Sequence, residues 1–364
     1  MSSLLAAALL LVGALGLVLV FVLSRWAARE RSHYRRLLLI TTVLTSILVV
    51  VGAYVRLSDA GLGCPDWPGC YGQPQVPQAL PEGHAAVSAG GFDAAKGWKE
   101  MGHRYLASFV GLLIASIAIA ALIGRERFRS SPRIAWVLVA VVIAQAALGR
   151  WTVTLLLKPA IVTLHLVGGM TTLGLLTWLT LRAFAQGAAR SAGRATVRTV
   201  PWRLFAMIAL VLVAVQIILG GWVSSNYAAL ACPDLPLCRG DWMPTMHFAQ
   251  AFEVVRELGR TGDGQLLSLE VLTAIHWTHR IWAIVVFLYC LGFGFKLART
   301  PRMAKYGWGL IALACVQVSL GVANVLLSLP LAVAAAHNAG AAALLVWVIV
   351  INFCACASAQ DGEA

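Results

Sequence analysis

His103-Arg104-Tyr-Leu-Ala107 returns 176 positions later as His279-Arg280-Ile-Trp-Ala283. Gln145-Ala-Ala-Leu-Gly149 returns 172 positions later as Gln317-Val-Ser-Leu-Gly321. A histidine follows each glutamine by twenty residues, His165 in the first case and His337 in the second. Further out, Gly52 matches Gly220, Cys64 matches Cys232 and Cys70 matches Cys238, all offset by 168. The chain is therefore a duplication, and four of its eight histidines stand as two equivalent pairs near the ends of hydrophobic segments. Two imidazoles facing each other across a helix bundle are what a six-coordinate haem iron requires.

The setting is a membrane. Hydrophobic residues make up 60% of the chain, charged residues 12%, and mean hydropathy is +0.82. A bilayer core takes roughly 20 apolar residues per helix. Nine spans are expected, at about 4–24, 37–57, 103–123, 134–156, 160–181, 203–224, 272–295, 305–327 and 331–353. The fold class that follows is an all-α polytopic membrane protein: two parallel-repeat four-helix bundles plus one extra N-terminal transmembrane helix. The first span is read as a retained helix, with a cleaved signal as the alternative. The expected division is 1–36 for the extra helix and a basic loop, 37–190 for the N-terminal bundle and 191–364 for the C-terminal bundle.

Charge sets the orientation. Basic runs at Arg25–Arg36, Arg125–Arg133, Arg182–Arg203 and Lys296–Lys305 follow alternate spans, so that side is cytoplasmic. The opposite side carries two long loops, 58–102 and 225–271. The net charge of +13 is accounted for by topology and gives no reason to expect nucleic acid. Both units start on the cytoplasmic side, so the repeat is parallel, with a pseudo-two-fold axis expected along the membrane normal. That argues against an inverted-repeat transporter. There is no Walker A, Rossmann or HExxH motif.

Cys64-Pro-Asp-Trp-Pro-Gly-Cys70 and Cys232-Pro-Asp-Leu-Pro-Leu-Cys238 lie in the outer loops. An oxidising compartment favours a disulfide within each; a redox-active or metal-handling pair is the alternative. Cys290, Cys315, Cys354 and Cys356 read as inert apolar residues of the spans. Intramembrane ionisable residues are functional candidates by default, and His103, His165, His279 and His337 are the candidate iron ligands. His276, three residues before His279, shares its helix face and competes with it. His33, His84 and His247 are expected in loops. Glu100 precedes His103 by the same three residues. It reads either as a carboxylate at a haem edge, taking a proton or stabilising positive charge, or as a surface residue capping the third span. Arg56, Arg104 and Arg280 can snorkel outward or pair with haem propionates.

The segment Tyr54-Val-Arg-Leu-Ser-Asp-Ala-Gly-Leu-Gly-Cys-Pro-Asp-Trp-Pro-Gly-Cys-Tyr-Gly72, with Glu100-Met-Gly-His-Arg104, His165, His279-Arg280 and His337, resembles the haem A synthase family of cytochrome oxidase assembly. The resemblance covers about 37–353. It implies an enzyme that oxidises the C8 methyl group of haem O to a formyl group by successive hydroxylations, giving haem A. It implies His103 and His165 as ligands of the substrate haem, His279 and His337 as ligands of a resident haem b, Glu100 as an essential carboxylate and Cys64–Cys70 as a disulfide. The chain departs from the family's eight helices in its extra first span and longer outer loops. Implied partners are haem O, an unidentified electron acceptor and membrane lipid, with haem O synthase, cytochrome oxidase assembly proteins and a second copy of the chain as further candidates. The implied location is the bacterial plasma membrane, with the haem sites toward its outer side. Two other readings stand beside this one: a quinol-linked di-haem cytochrome b, and a haem carrier without catalysis.

Overall fold

The structure is a computed structural model and describes residues 3–85, 91–128, 132–188 and 202–360. The expected domain boundary at 190/191 and the basic residues Arg129, Arg190, Arg194 and Arg198 lie outside the described residues. Nine long helices form among those described: α1 (Ser3–Arg29), α2 (Arg31–Leu57), α3 (Ala94–Ile123), α5 (Arg133–Thr154), α6 (Pro159–Ala188), α7 (Trp202–Ser225), α9 (Leu269–Ala298), α10 (Ala304–Leu326) and α11 (Leu331–Gln360). Single-turn helices α4 (Arg125–Phe128) and α8 (Phe248–Ala251) lie between them. Eight of the long helices, α2 onward, are long and apolar enough to cross a bilayer. In hydrocarbon every backbone polar group must be satisfied without water, and an apolar run of this length does so within itself as a helix. Prolines mark the starts: Pro159 opens α6, and Pro330 stands directly before α11.

Contacts divide the chain into two compact units, 1–157 with 168–188, and 158–167 with 189–364. In the first unit α3 packs on α2 and α5, and α1 lies against both α2 and α3. The later part of α6 joins α2 through Thr42 and Thr180, whose hydroxyls are 2.9 Å apart, and through Arg35 Nε, which donates to Ala183 O at 2.9 Å. Leu38, Ile117, Leu138 and Leu176, one from each of α2, α3, α5 and α6, form the centre of the core.

In the second unit α7 packs on α9, α9 on α10, α10 on α11 and α11 on α7. That ring places α9 and α11 on a diagonal. Lipid gives helices no hydrophobic reason to associate, so close backbone approach and interhelical hydrogen bonds hold them. Gly294 and Gly307 bring α9 and α10 into backbone contact. Asn352 Nδ2 donates to Ala206 O at 2.8 Å, Trp282 Nε1 to Leu212 O at 3.1 Å and Trp347 Nε1 to Tyr306 O at 2.9 Å.

The duplication extends to the helix ends. Asp59, Tyr71, Leu156 and Leu157 have positive φ, and so do their repeat partners Tyr227, Arg239, Ser328 and Leu329. Ala60 N donates to Val55 O as Ala228 N does to Val223 O, and Leu157 N to Thr152 O as Leu329 N does to Asn324 O.

Two sequence expectations change. His33 is not in a loop. Glu30 alone separates α1 from α2, so His33 lies in the first turn of α2, stacked on Trp26 at 4.5 Å between ring centroids. α3 begins at Ala94, not near 103, because Asp93 accepts hydrogen bonds from Ala95 N and Lys96 N and starts the helix early. His84 and His247 are exposed, outside the helices.

Candidate functional site

Each cysteine pair is a disulfide, Cys64–Cys70 and Cys232–Cys238, with alpha carbons 4.8 and 4.7 Å apart. One aspartate organises each loop. Asp66 accepts from Tyr71 N at 2.6 Å and Gly72 N at 2.7 Å; Asp234 accepts from Arg239 N at 2.5 Å and Gly240 N at 2.8 Å. The Gly240 and Arg239 amides hold the Asp234 carboxyl below the usual carboxylate range.

An arginine from the following helix seats each loop. Arg104 Nη1 donates to Asp66 O at 2.8 Å and Gly69 O at 2.7 Å. Its Nη2 donates to Glu100 Oε1 at 2.5 Å, and Cys64 N donates to Glu100 Oε2 at 2.9 Å. In the second unit Arg280 Nη1 donates to Asp234 O at 2.9 Å and Leu237 O at 3.1 Å, and Nη2 to Cys232 O at 2.5 Å. Arg280 Nε faces His276 Nε2 at 3.2 Å, and Cys232 N faces His276 Nδ1 at 3.4 Å. The guanidinium groups of Arg104 and Arg280 are thus turned to loop carbonyls. Glu100 is 5% exposed and sits past the first turn of α3, so it is neither a surface residue nor the helix cap.

The histidines meet glycines on neighbouring helices. A methyl group at Gly220 of α7 would stand 3.1 Å from His279 Cε1, one at Gly321 of α10 would stand 3.2 Å from His337 Cε1, and one at Gly52 of α2 would stand 2.9 Å from His103 Nε2. One turn before two of these glycines stands a glutamine. Gln216 Nε2 lies 3.2 Å from His279 Nδ1, and Gln317 Nε2 lies 3.4 Å from His337 Nε2 and donates to His337 O at 3.0 Å. In the second unit His279 and His337 thus stand on the diagonal helices α9 and α11. His103 belongs to the first unit. His165 lies on the part of α6, 158–167, that groups with the second.

Three buried polar atoms beside the second-unit pair have no hydrogen-bond partner among the described residues: His337 Nδ1, Gln216 Oε1 and Gln317 Oε1. Such atoms cost about 1–3 kcal/mol each when left unsatisfied. Two diagonal imidazoles, glycine-lined walls and orphaned polar atoms together fit a planar iron cofactor. Gln216 escaped the sequence reading. Its motif, Gln216-Ile-Ile-Leu-Gly220, is a third copy of the Gln-x-x-Leu-Gly pattern, but the duplication aligns Gln216 with Leu48 and so hides it.

The sequence model of a family described as cytochrome oxidase assembly protein matches residues 35–349. The chain is 39% identical over 320 residues to a haem A synthase of Shewanella oneidensis, covering 87% of this chain and 95% of the relative. It is 29% identical over 336 residues to a haem A synthase of a Caulobacter species, covering 85% and 92%. With a haem A synthase of Paracoccus denitrificans it shares 28% identity over 356 residues, covering 88% and 87%.

Proposed function

The chain belongs to the cytochrome oxidase assembly protein family, and from that membership we propose how it works as an enzyme of haem A biosynthesis. It is a haem A synthase, an integral multi-pass membrane protein that makes haem A for cytochrome oxidase. Its substrate is haem O. The C8 methyl group is hydroxylated once to an alcohol and again to a gem-diol, which loses water to leave the formyl group. Each hydroxylation takes its oxygen from water, R–CH3 + H2O giving R–CH2OH + 2 e− + 2 H+ in the first, with the electrons passed to an external acceptor and the protons released in the site.

His103 and His165 take the substrate haem, and His279 and His337 take a resident haem b. When bound, haem b supplies a one-electron relay toward an acceptor. Arg56, in the last turn of α2, is assigned to the haem O propionates. Glu100, one turn from His103, receives the proton released as the methyl group is oxidised and stabilises positive charge at the carbon. Arg104 and the Cys64 amide hold its carboxylate in place. The chain is assigned to the bacterial plasma membrane with both haem sites toward its outer side, an orientation supported by the placement of the basic loops.

One observation carries the reading. The two units repeat loop, disulfide, aspartate and arginine, yet Glu100 in the first is replaced by His276 in the second. Chemistry confined to one pair, with a fixed cofactor on the other, requires such a difference. The test is co-expression with a source of haem O, followed by extraction and chromatography of the haems. Haem A should appear only with the intact chain. Haem O left unchanged, with equal and reversible electron flow through two haems, would favour a di-haem cytochrome.

A further inference from the structure

Glu100 and His276 occupy the same place in two copies of one device. Each stands four residues before an arginine, each faces the amide of the first cysteine of a disulfide loop, and each lies against that arginine. The acceptors differ in capacity. A carboxylate has lone pairs for both donors, and Glu100 takes them at 2.9 and 2.5 Å. A neutral imidazole has one acceptor nitrogen, so His276 can satisfy only one of the two donors it faces. Its contacts are correspondingly long, 3.4 and 3.2 Å.

We propose that His276 is a positioning residue, the acceptor that with Arg280 seats the Cys232–Cys238 loop on α9, one turn from His279. His276 is 5% exposed and has both ring nitrogens turned to the loop clasp, so it does not ligate iron. Replacing it by the first unit's residue restores an acceptor for both donors. The seat should therefore tighten in the order Leu, then His, then Glu at position 276. The haem part of this inference rests on the assignment of haem b to His279 and His337.

The test uses the full chain in detergent with three variants, His276→Glu, His276→Gln and His276→Leu. Trypsin cleavage after Arg239, an exposed residue of the loop, reports the seat without reference to haem. We expect His276→Leu to be cut roughly tenfold faster than the unmodified chain, the scale of an orphaned buried donor. His276→Gln should be intermediate and His276→Glu no faster than wild type. The haem b spectrum should persist in His276→Glu, with a lower midpoint potential from the added negative charge. Cleavage of His276→Leu at the wild-type rate, or His276→Glu cut as fast as His276→Leu, overturns the proposal. Loss of the haem b spectrum in all three variants overturns it too, by making His276 a ligand. If His276→Leu fails to accumulate, the comparison of Gln with Glu decides. Retention of haem b in His279→Ala would instead refute the haem assignment and leave the cleavage order standing as its own test.

Discussion

Asp234 anchors its loop with two short bonds from backbone amides, and those bonds make it acidic. Its stabilising effect is fully present above the ordinary carboxylate range and is lost as pH falls through its lowered folded value. The group is exposed, so the effect is small. In Asp234→Asn the melting temperature should lie below that of the unmodified chain at neutral pH, and the gap should close on acidification. A gap that stays constant from about pH 6 to about pH 2 would contradict this sign. Residue by residue, the sequence was informative where the repeat held and silent where it broke. Cys64, Cys70, Cys232 and Cys238 were legible as disulfides from spacing and compartment, and all four pair as expected. The partners of Arg104 and Arg280 were not, because loop carbonyls 35 and more residues away leave no mark in side-chain pattern.

At the scale of elements, glycines set how closely helices approach the histidines. Adding a methyl group at Gly220 puts it 3.1 Å from His279. Overpacking of this kind costs about 1–3 kcal/mol, although alanine is intrinsically the better helix former. Gly220→Ala should purify with a haem b to protein ratio lower by roughly tenfold, measured by pyridine haemochrome. Gly292→Ala, where nothing lies within 4 Å, should keep the full ratio. Equal haem content in the two variants would show that the glycine contact does not shape the site. The apolar runs made all nine long helices readable, but not their ends. α3 starts nine residues before the expected span, because its first turns carry Lys96, Lys99 and Glu100 and fall outside a hydropathy window. The expected span thereby left Glu100 just outside a helix, and the capping alternative falls because Glu100 is buried inside one.

At the scale of the molecule, two units share their helix order, helix-end geometry and disulfide clasps, and two of the matched positions that differ lie beside the histidines. Glu100 is matched in the repeat by His276, and Leu48 by Gln216. In the second unit a glutamine amide lies beside each histidine, which on the proposed assignment serves a cofactor that stays. The first has a leucine in place of one glutamine and a buried carboxylate, which on the same proposal serves a haem that is altered and released. The most direct measurement is the haem composition of cells carrying a haem O source and the Glu100→Gln or Glu100→His variant at matched protein level. We expect haem b to be retained and haem O or a partly oxidised haem to accumulate at the expense of haem A. The loss of rate should be on the order of 10²–10⁴-fold, with Glu100→His keeping the Cys64–Cys70 loop seated. A normal yield of haem A from Glu100→Gln would contradict the assignment and leave Glu100 with only its role in the clasp.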